Sequence, residues 1–315
     1  MKIAITGITG FVGGHLARRL VAEGHEVIGV SRQPVSTHEN SPASKRIAWM
    51  ASDLSNVDVL TEAFSGCDAV AHCAGINREI GQQTYQRIHV EGTRNVVEAA
   101  KRAGVKRIAL MSFLRARPNC GSPYHESKWA AEEIIRNSGL DYTIVKAGMV
   151  YGRRDHMLDH LSHAFHTLPL LATVGFHQNA IRPLAIDDLV RVLQAALIDQ
   201  CLPCKTIALT GAEELYLSDA ASRVALALDK RILIFPAPLW FHRILAQLCE
   251  WSMKVPLVAK AQIRILSEGV VEPAVPCDPL PTDLRPTRGF TPEQIRAGLP
   301  EPGAFGLHDL RCCLE

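Results

Sequence analysis

Charge imbalance is the first thing this sequence has little of. Its 34 lysines and arginines stand against 32 aspartates and glutamates, a formal net charge of +2. A balance that even makes no general case for nucleic acid or an acidic surface as partner. Long apolar runs are missing as well. No stretch reaches the length of a bilayer span without a charge or a proline. Cysteine occurs nine times, at 67, 73, 120, 201, 204, 249, 277, 312 and 313, without a framework. An odd count with no zinc-spaced double pair points to reduced thiols in a cytoplasmic compartment and gives no metal site. Cys201 and Cys204 form a C-x-x-C, but it follows an expected helix and lacks the setting of a redox pair. Ile3 already belongs to an expected strand, so no secretory leader is expected before it. No internal repeat is visible beyond an alternation of strands and helices.

What is present is ordinary in bulk and specific in detail. Hydrophobic residues make up 47% and charged residues 21% of 315 positions, which suits one large α/β domain or a domain with a smaller lobe. The specific part begins at Ile3-Ala4-Ile5, a short apolar strand that runs into Gly7, Gly10 and Gly13 and then into a helical pattern with Val12, Leu16 and Leu20 on one face. Unpaired amides at a helix start, reinforced by the helix dipole, make an anion cradle. Gly7 suits the tight turn, Gly10 the close approach of a pyrophosphate, and Gly13 the packing of helix on strand.

Glu26–Ser31 reads as the second strand, with Arg32 directly after it. An acid at this strand end binds the ribose 2′-hydroxyl of NAD, whereas an arginine accommodates the 2′-phosphate of NADP. Ser31-Arg32 offers no acid, so NADP(H) is favoured over NAD(H). A polar, proline-punctuated loop is expected over 33–46. Strands follow at 47–51, 69–74, 106–111 and 142–146, with helices at 57–64, 85–103 and 126–136. That alternation implies a doubly wound, parallel α/β sheet. Later helices are expected at 157–171, 187–198, 217–228 and 239–253, with a strand near 205–211 that joins the sheet. Residues 1–150 read as the NADP-binding domain and 151–315 mainly as a smaller, mostly helical substrate lobe at the C-terminal edge of the strands.

Tyr124-His-Glu-Ser-Lys128 is the second specific feature. Positions i and i+4 share a helix face, so Tyr124 and Lys128 can reach one site. A neighbouring ammonium favours phenolate, which makes Tyr124 a candidate proton relay during hydride transfer to or from a carbonyl or alcohol. Lys128 would also hydrogen-bond the ribose of the cofactor.

Thr6-Gly-Ile-Thr-Gly-Phe-Val-Gly13, Asp53-Leu54, Tyr124-x-x-x-Lys128 and Ala147-Gly-Met-Val-Tyr-Gly152 together resemble the short-chain dehydrogenase/reductase superfamily. The form of the glycine motif is similar to its extended and atypical branches, which include the NAD(P)-dependent sugar-nucleotide epimerase/dehydratase family. The proline-rich C-terminal third looks closest to the atypical group that contains the NADPH-holding accessory subunit of respiratory complex I. The resemblance implies that Gly7, Thr9, Gly10, Phe11, Val12 and Gly13 form the phosphate turn. It implies that Asp53 and Leu54 flank the adenine and that Ala74, Gly75 and Ala147 line the cofactor. Gly148 and Met149 should then approach the nicotinamide.

Two departures qualify what the resemblance implies about chemistry. A gap-free alignment puts Phe113 where the family has its catalytic serine or threonine, with Ser112 one position early. Either Ser112 takes that role through a local backbone shift, or substrate polarisation by a hydroxyl is absent. Lys146-Ala147 also stands where the extended branch has Arg-Pro. An oxidoreductase acting on a carbonyl or alcohol, sugar-nucleotide-like substrates included, therefore stands beside a rival, a non-catalytic NADPH-binding structural or assembly protein. His156, Asp159, His160, His163 and His166 recur at helical spacing, but Leu158, Leu161 and Phe165 share the helix. A polar helix face is preferred there to a metal site. The apolar stretch 239–253 lacks a strongly basic face, so packing within the lobe is preferred to a membrane or partner surface.

Overall fold

A computed structural model of the chain describes residues 1–32, 46–252, 263–264 and 267–304. The loop expected at 33–46 lies outside the described residues except for Arg46, as do Met253, Cys312 and Cys313. The described chain divides into two units. One takes Met1–Ala147, Ile186–Leu209 and Pro273–Arg285, and the other takes the described parts of Gly148–Ala185, Thr210–Glu272 and the chain from Pro286 onward.

Seven strands form the sheet of the first unit: β1 (Lys2–Thr6), β2 (Glu26–Ser31), β3 (Ile47–Ala51), β4 (Ala69–His72), β5 (Arg107–Phe113), β6 (Asp141–Ala147) and β11 (Lys205–Leu209). Their spatial order is β11-β6-β5-β4-β1-β2-β3, and every neighbouring pair is parallel. The strand order reverses beside β1, which has β2 on one side and β4 on the other. That reversal opens a crevice at the strands' C-terminal ends, where ligands of such sheets bind. Ile3, Ala4 and Ile5 have no exposed surface, as parallel strands covered on both faces require.

Five α-helices flank this sheet: α1 (Phe11–Ala22), α2 (Val57–Phe64), α3 (Gly92–Arg102), α4 (Pro123–Arg136) and α6 (Ile186–Gln194). The period-3.6 apolar positions Leu60 and Phe64 of α2, Val96 and Ala100 of α3, and Ile135 of α4 meet Val70, Ile108 and Ile144 of the sheet in one buried cluster. Each fully buried large side chain there contributes about 1.5–3 kcal/mol. On α2, Asn56 caps the first turn by accepting from the Val59 amide. The helix α1 packs beside α6, where the Arg19 side chain donates to Gln194. This is a doubly wound Rossmann-type α/β fold.

Helix ends depart from the periodicity in three places. The helix expected at 85–103 is π-helical over Gln86–Glu91 before α3 begins, and the one expected at 187–198 is π-helical over Ala195–Asp199. Hydrophobic spacing does not register the wider turn of a π-helix. The helix expected at 157–171 stops at Thr167 because Pro169 follows, and its last residues join a strand.

Among the described residues the second unit holds three short strand pairs. β7 (Val150–Tyr151) pairs in parallel with β10 (Leu184–Ala185), β8 (Leu170–Val174) in parallel with β13 (Leu233–Ala237), and β9 (Ala180–Ile181) antiparallel with β12 (Leu215–Tyr216). Its helices are α5 (His156–Thr167), α7 (Leu217–Ala227), α8 (Leu239–Ser252) and the short Pro292–Gly298. The proline-dense segment is pinned at Phe290, which is fully buried against Tyr151, while the Tyr151 hydroxyl donates to the Gly289 carbonyl (2.7 Å). Helix α8 packs through its small side. His242, Ala246 and Cys249 are buried, and Trp240, Ile244 and Trp251 are exposed. The large apolar residues expected to fill the lobe point away from its interior.

Candidate active site

The glycine turn after β1 is built as its residues suggest. Gly7 has φ of +71°, and a Cβ there would lie 2.6 Å from the backbone of Ala74. A Cβ on Gly13 would collide with the Gly7 carbonyl oxygen. The Gly10 amide donates to that same carbonyl (3.0 Å), which closes the turn. Gly10 caps α1 without any side-chain hydrogen bond, and the first turn of the helix carries no acid. Thr9 and Gly10 are exposed, Phe11 and Val12 are half-buried, and the helix's leading amides are claimed by no cap. The cradle fits a phosphate because the backbone is bare of side chains and the amides at the helix start are left open to an anion.

Beside the cradle, Ser31 ends β2 buried and Arg32 is exposed. Asp53 follows β3 and accepts from the Ser55 hydroxyl (2.6 Å) and amide (2.9 Å). Those bonds hold its carboxyl below the usual range, and the cations Arg87 and Arg32 add to the effect. Arg32 and Asp53 thus lie within electrostatic reach of each other. Leu54 is fixed by its carbonyl, which accepts from Asn95 (2.8 Å), and by its side chain against Gly92.

Gly75 connects the cradle to the candidate chemistry. It follows Ala74, the residue against which Gly7 turns. A Cβ on Gly75 would lie 3.0 Å from Lys128 Nζ and 3.4 Å from His89 Nε2. The Ile76 amide donates to His89 Nε2 (3.1 Å), which places the ring proton on Nδ1. Nδ1 then donates to Ser127 Oγ (2.9 Å), whose hydroxyl donates to the Tyr124 carbonyl (2.9 Å). Around the Tyr124 ring stand Tyr85, His89, Phe113 and His125, with centroids 5.4 to 5.8 Å away. A buried polar line runs behind this group. His72 bonds Thr6 Oγ1 (2.7 Å) through Nδ1 and Thr93 Oγ1 (3.0 Å) through Nε2.

Burial sets the ionisation of the group. It lowers Lys128 to about 8, so the side chain is still cationic at neutral pH. It lowers His72 to about 3 and His89 to about 2, with the Lys128 charge helping, so both stay neutral. The Tyr124 phenol is pushed up, by burial first and by Tyr85 second. The phenolate stabilisation expected from Lys128 does not arise here: burial and the neighbouring Tyr85 set the phenol, and Tyr124 holds its proton.

Ser112 does not join this group. Neighbouring residues of a strand point to opposite faces. Phe113 packs on Tyr124 (5.4 Å) and stacks on His125 (5.1 Å), while the Ser112 hydroxyl donates to Glu132 (2.5 Å). Glu132 in turn accepts from Lys146 Nζ (2.9 Å) and Arg136 (2.8 Å), and both Glu132 and Lys146 are fully buried. The alternative of a backbone shift that brings Ser112 beside Tyr124 is therefore corrected: strand β5 stays regular to Phe113. Lys146, a departure from the family pattern, is the counter-ion that the buried carboxylate needs. Ala147 is buried at the end of β6 opposite Phe113, and Gly148 and Met149, both half-buried, begin the second unit. Sequence reasoning missed His89 and Ser127. Ser127 lay inside the Tyr124–Lys128 motif, and Tyr85 and His89 stand four residues apart before α3, which was the available signal.

A family model described as NAD(P)H-binding matches residues 7–160. An uncharacterized sugar epimerase of Bacillus subtilis is 31% identical over 157 residues, 47% of this chain and 72% of that protein. The chain belongs to the short-chain dehydrogenase/reductase superfamily, in its extended, epimerase-like group. Alpha subcomplex subunit 9 of the mitochondrial NADH dehydrogenase of Mus musculus is 24% identical over 285 residues, 89% of this chain and 73% of that subunit. An uncharacterized protein of Mycobacterium tuberculosis is 27% identical over 238 residues, 76% of this chain, and the match covers 24% of that much longer protein. UDP-glucuronic acid 4-epimerase of Bacillus cereus, in a crystal structure with NAD, shares the fold at a TM-score of 0.68 and 20% identity, over 95% of this chain and 97% of that one.

In this short-chain dehydrogenase/reductase-like chain the histidines of α5 are used locally. His163 contacts the Asp159 carbonyl (2.9 Å) and His166 the Ser162 carbonyl (2.8 Å), one turn back in each case. Among the described residues no group of three or more potential ligands gathers around a metal position. Cys201 and Cys204 are free and exposed. Among the described residues, too, no helix is long and apolar enough to cross a membrane.

Proposed function

We propose that this protein is an NADP(H)-dependent oxidoreductase that acts on a carbonyl or alcohol, of sugar-nucleotide type or similar, with Tyr124 and Lys128 at the reacting centre. The observation that carries the reading is Gly75, where the wall of the phosphate cradle touches both Lys128 and His89. When bound, the nicotinamide exchanges a hydride with the substrate carbon. Tyr124 keeps its proton at neutral pH and so can deliver it to a carbonyl oxygen as hydride arrives at the carbon. Lys128, cationic where it lies against Gly75, would hold ribose hydroxyls there. Ser31-Arg32 ends β2 where an acid would bind a ribose 2′-hydroxyl, and Arg32 there favours a 2′-phosphate.

The rival reading, an NADPH-holding structural or assembly protein, is favoured by one feature. Phe113 stands on Tyr124 where the family keeps a hydroxyl, and Ser112 is committed elsewhere. The mouse respiratory-chain subunit among the relatives supports the same alternative.

Thermal denaturation with each nucleotide tests the shared premise. NADPH should raise the melting temperature more than NADH does. Arg32→Ala should weaken NADPH binding by about 10–100-fold, the value of a charge-assisted hydrogen bond, with little change for NADH. No shift with NADPH would end both readings, and equal losses for the two nucleotides would end the NADP preference. A carbonyl and alcohol screen then separates the two. A substrate whose turnover falls by roughly 10²–10⁴ in Tyr124→Phe, at unchanged NADPH binding, supports the enzyme. Tight NADPH binding with no turnover on any compound supports the structural role.

A further inference from the structure

Helix α8 presents the less usual side of an amphipathic helix to its own protein. At 100° per residue, Trp240, Ile244, Leu248 and Trp251 fall within about 80° of arc. They are 63%, 55%, 54% and 75% exposed. Phe241 flanks this stripe at 38% exposure. The opposite side, with buried His242, Ala246 and Cys249, holds the helix to its unit, and His242 lies 3.2 Å from the Ala172 carbonyl of β8. The strand pair that His242 reaches also carries exposed apolar side chains. Leu170 of β8 and its register partner Leu233 of β13 are 45% and 63% exposed, and Phe235 is 37% exposed. A helix in a globular domain turns such a stripe toward the core, so an exposed one marks an interaction surface.

We propose that the outward face of α8 docks on the headgroup–acyl boundary of a bilayer containing anionic lipid. Three observations favour that occupant. Indole rings, apolar in body and polar at the N–H, prefer this boundary, and Trp240 and Trp251 stand at the two ends of the helix with aliphatic side chains between them. The helix has 14 residues, about 21 Å, against the roughly 30 Å of a hydrocarbon core, so it can lie along a membrane but not cross it. Arg243 is exposed on the flank of the stripe, and Lys230 and Arg231 are exposed just ahead of β13. Arg243, on the flank of the stripe itself, complements anionic headgroups.

Sedimentation of the full chain with vesicles tests the surface independently of any activity. Vesicles of phosphatidylcholine with phosphatidylglycerol should carry the protein down. Its tryptophan emission should shift to the blue and be quenched by brominated acyl chains. The double variant Trp240→Ser/Trp251→Ser replaces exposed side chains, so it should melt as the parent does and bind at least ~10-fold more weakly. Arg243→Glu should lose the preference for anionic over purely zwitterionic vesicles. Failure of the parent to bind, equal binding by the double variant, or equal binding to phosphatidylcholine alone would each overturn the proposal. A lipid-free dimer that the double variant converts to monomer would overturn it in favour of a second copy.

Discussion

At the scale of single residues, His89 and Lys128 crowd the same point beside Gly75 and must settle which of them is charged. Lys128 takes the charge, at about 8, and His89 and His72 stay neutral, at about 2 and about 3. That choice has a consequence for stability. Both histidines have folded values far below the unfolded value near 6.5, so below that pH the unfolded chain binds protons the folded chain refuses. The contribution of these two histidines is therefore complete above about pH 6.5 and is lost as the solution is acidified, by about 1.4 kcal/mol per pH unit for each. Unfolding free energies from urea titrations between neutral pH and pH 4 should fall less steeply in His89→Gln than in the parent, by about that amount. Parallel slopes would mean that His89 is protonated in the folded state. Tyr124 and Lys128 could be picked out from sequence because helical spacing is local. His89 offered only its four-residue spacing from Tyr85, because its role depends on a strand end and a second helix meeting it from elsewhere in the chain.

Among the elements, the turn from β1 into α1 was the most legible, because three glycines at this spacing between a strand and a helix suit little besides a phosphate turn. The structure adds the reason each is needed, and the strictest case is Gly13. Its Cβ would strike a backbone carbonyl rather than the tip of a movable side chain. Gly13→Ala should therefore cost about 1–3 kcal/mol of stability, the usual penalty for overpacking, and should weaken NADPH binding because the turn itself has to shift. Calorimetry with and without nucleotide reads both effects, and a variant that melts and binds as the parent would show that α1 can slide on β1. Elements set by tertiary context were less legible. The π-helical turn at Gln86–Glu91 carries His89 toward Ser127, yet no periodicity in the sequence announces it. The strand Leu233–Ala237 contains Pro236 and gave no clear signal, and it is stabilised by a partner more than sixty residues earlier.

For the whole molecule, alternation of strands and helices was enough to give the fold class, since parallel strands need a crossover between them. A linear reading divides the chain near residue 150, but the contacts do not follow a linear division. Ile186–Leu209 and Pro273–Arg285 return to the first unit, and the Asp278 amide donates to the Thr206 carbonyl (2.7 Å) behind the last strand of the sheet. This return bears on how the protein comes off the ribosome. A nascent chain halted near residue 150 would already hold the phosphate cradle and the tyrosine–lysine pair. Its strand β6 would nevertheless be an open edge, with Thr143, Ile144 and Val145 deprived of the neighbour that buries them. Synthesis must run on for some sixty residues before β11 can close that edge, and further still before Asp278 secures it. Until then the half-made sheet is a surface for a chaperone to cover.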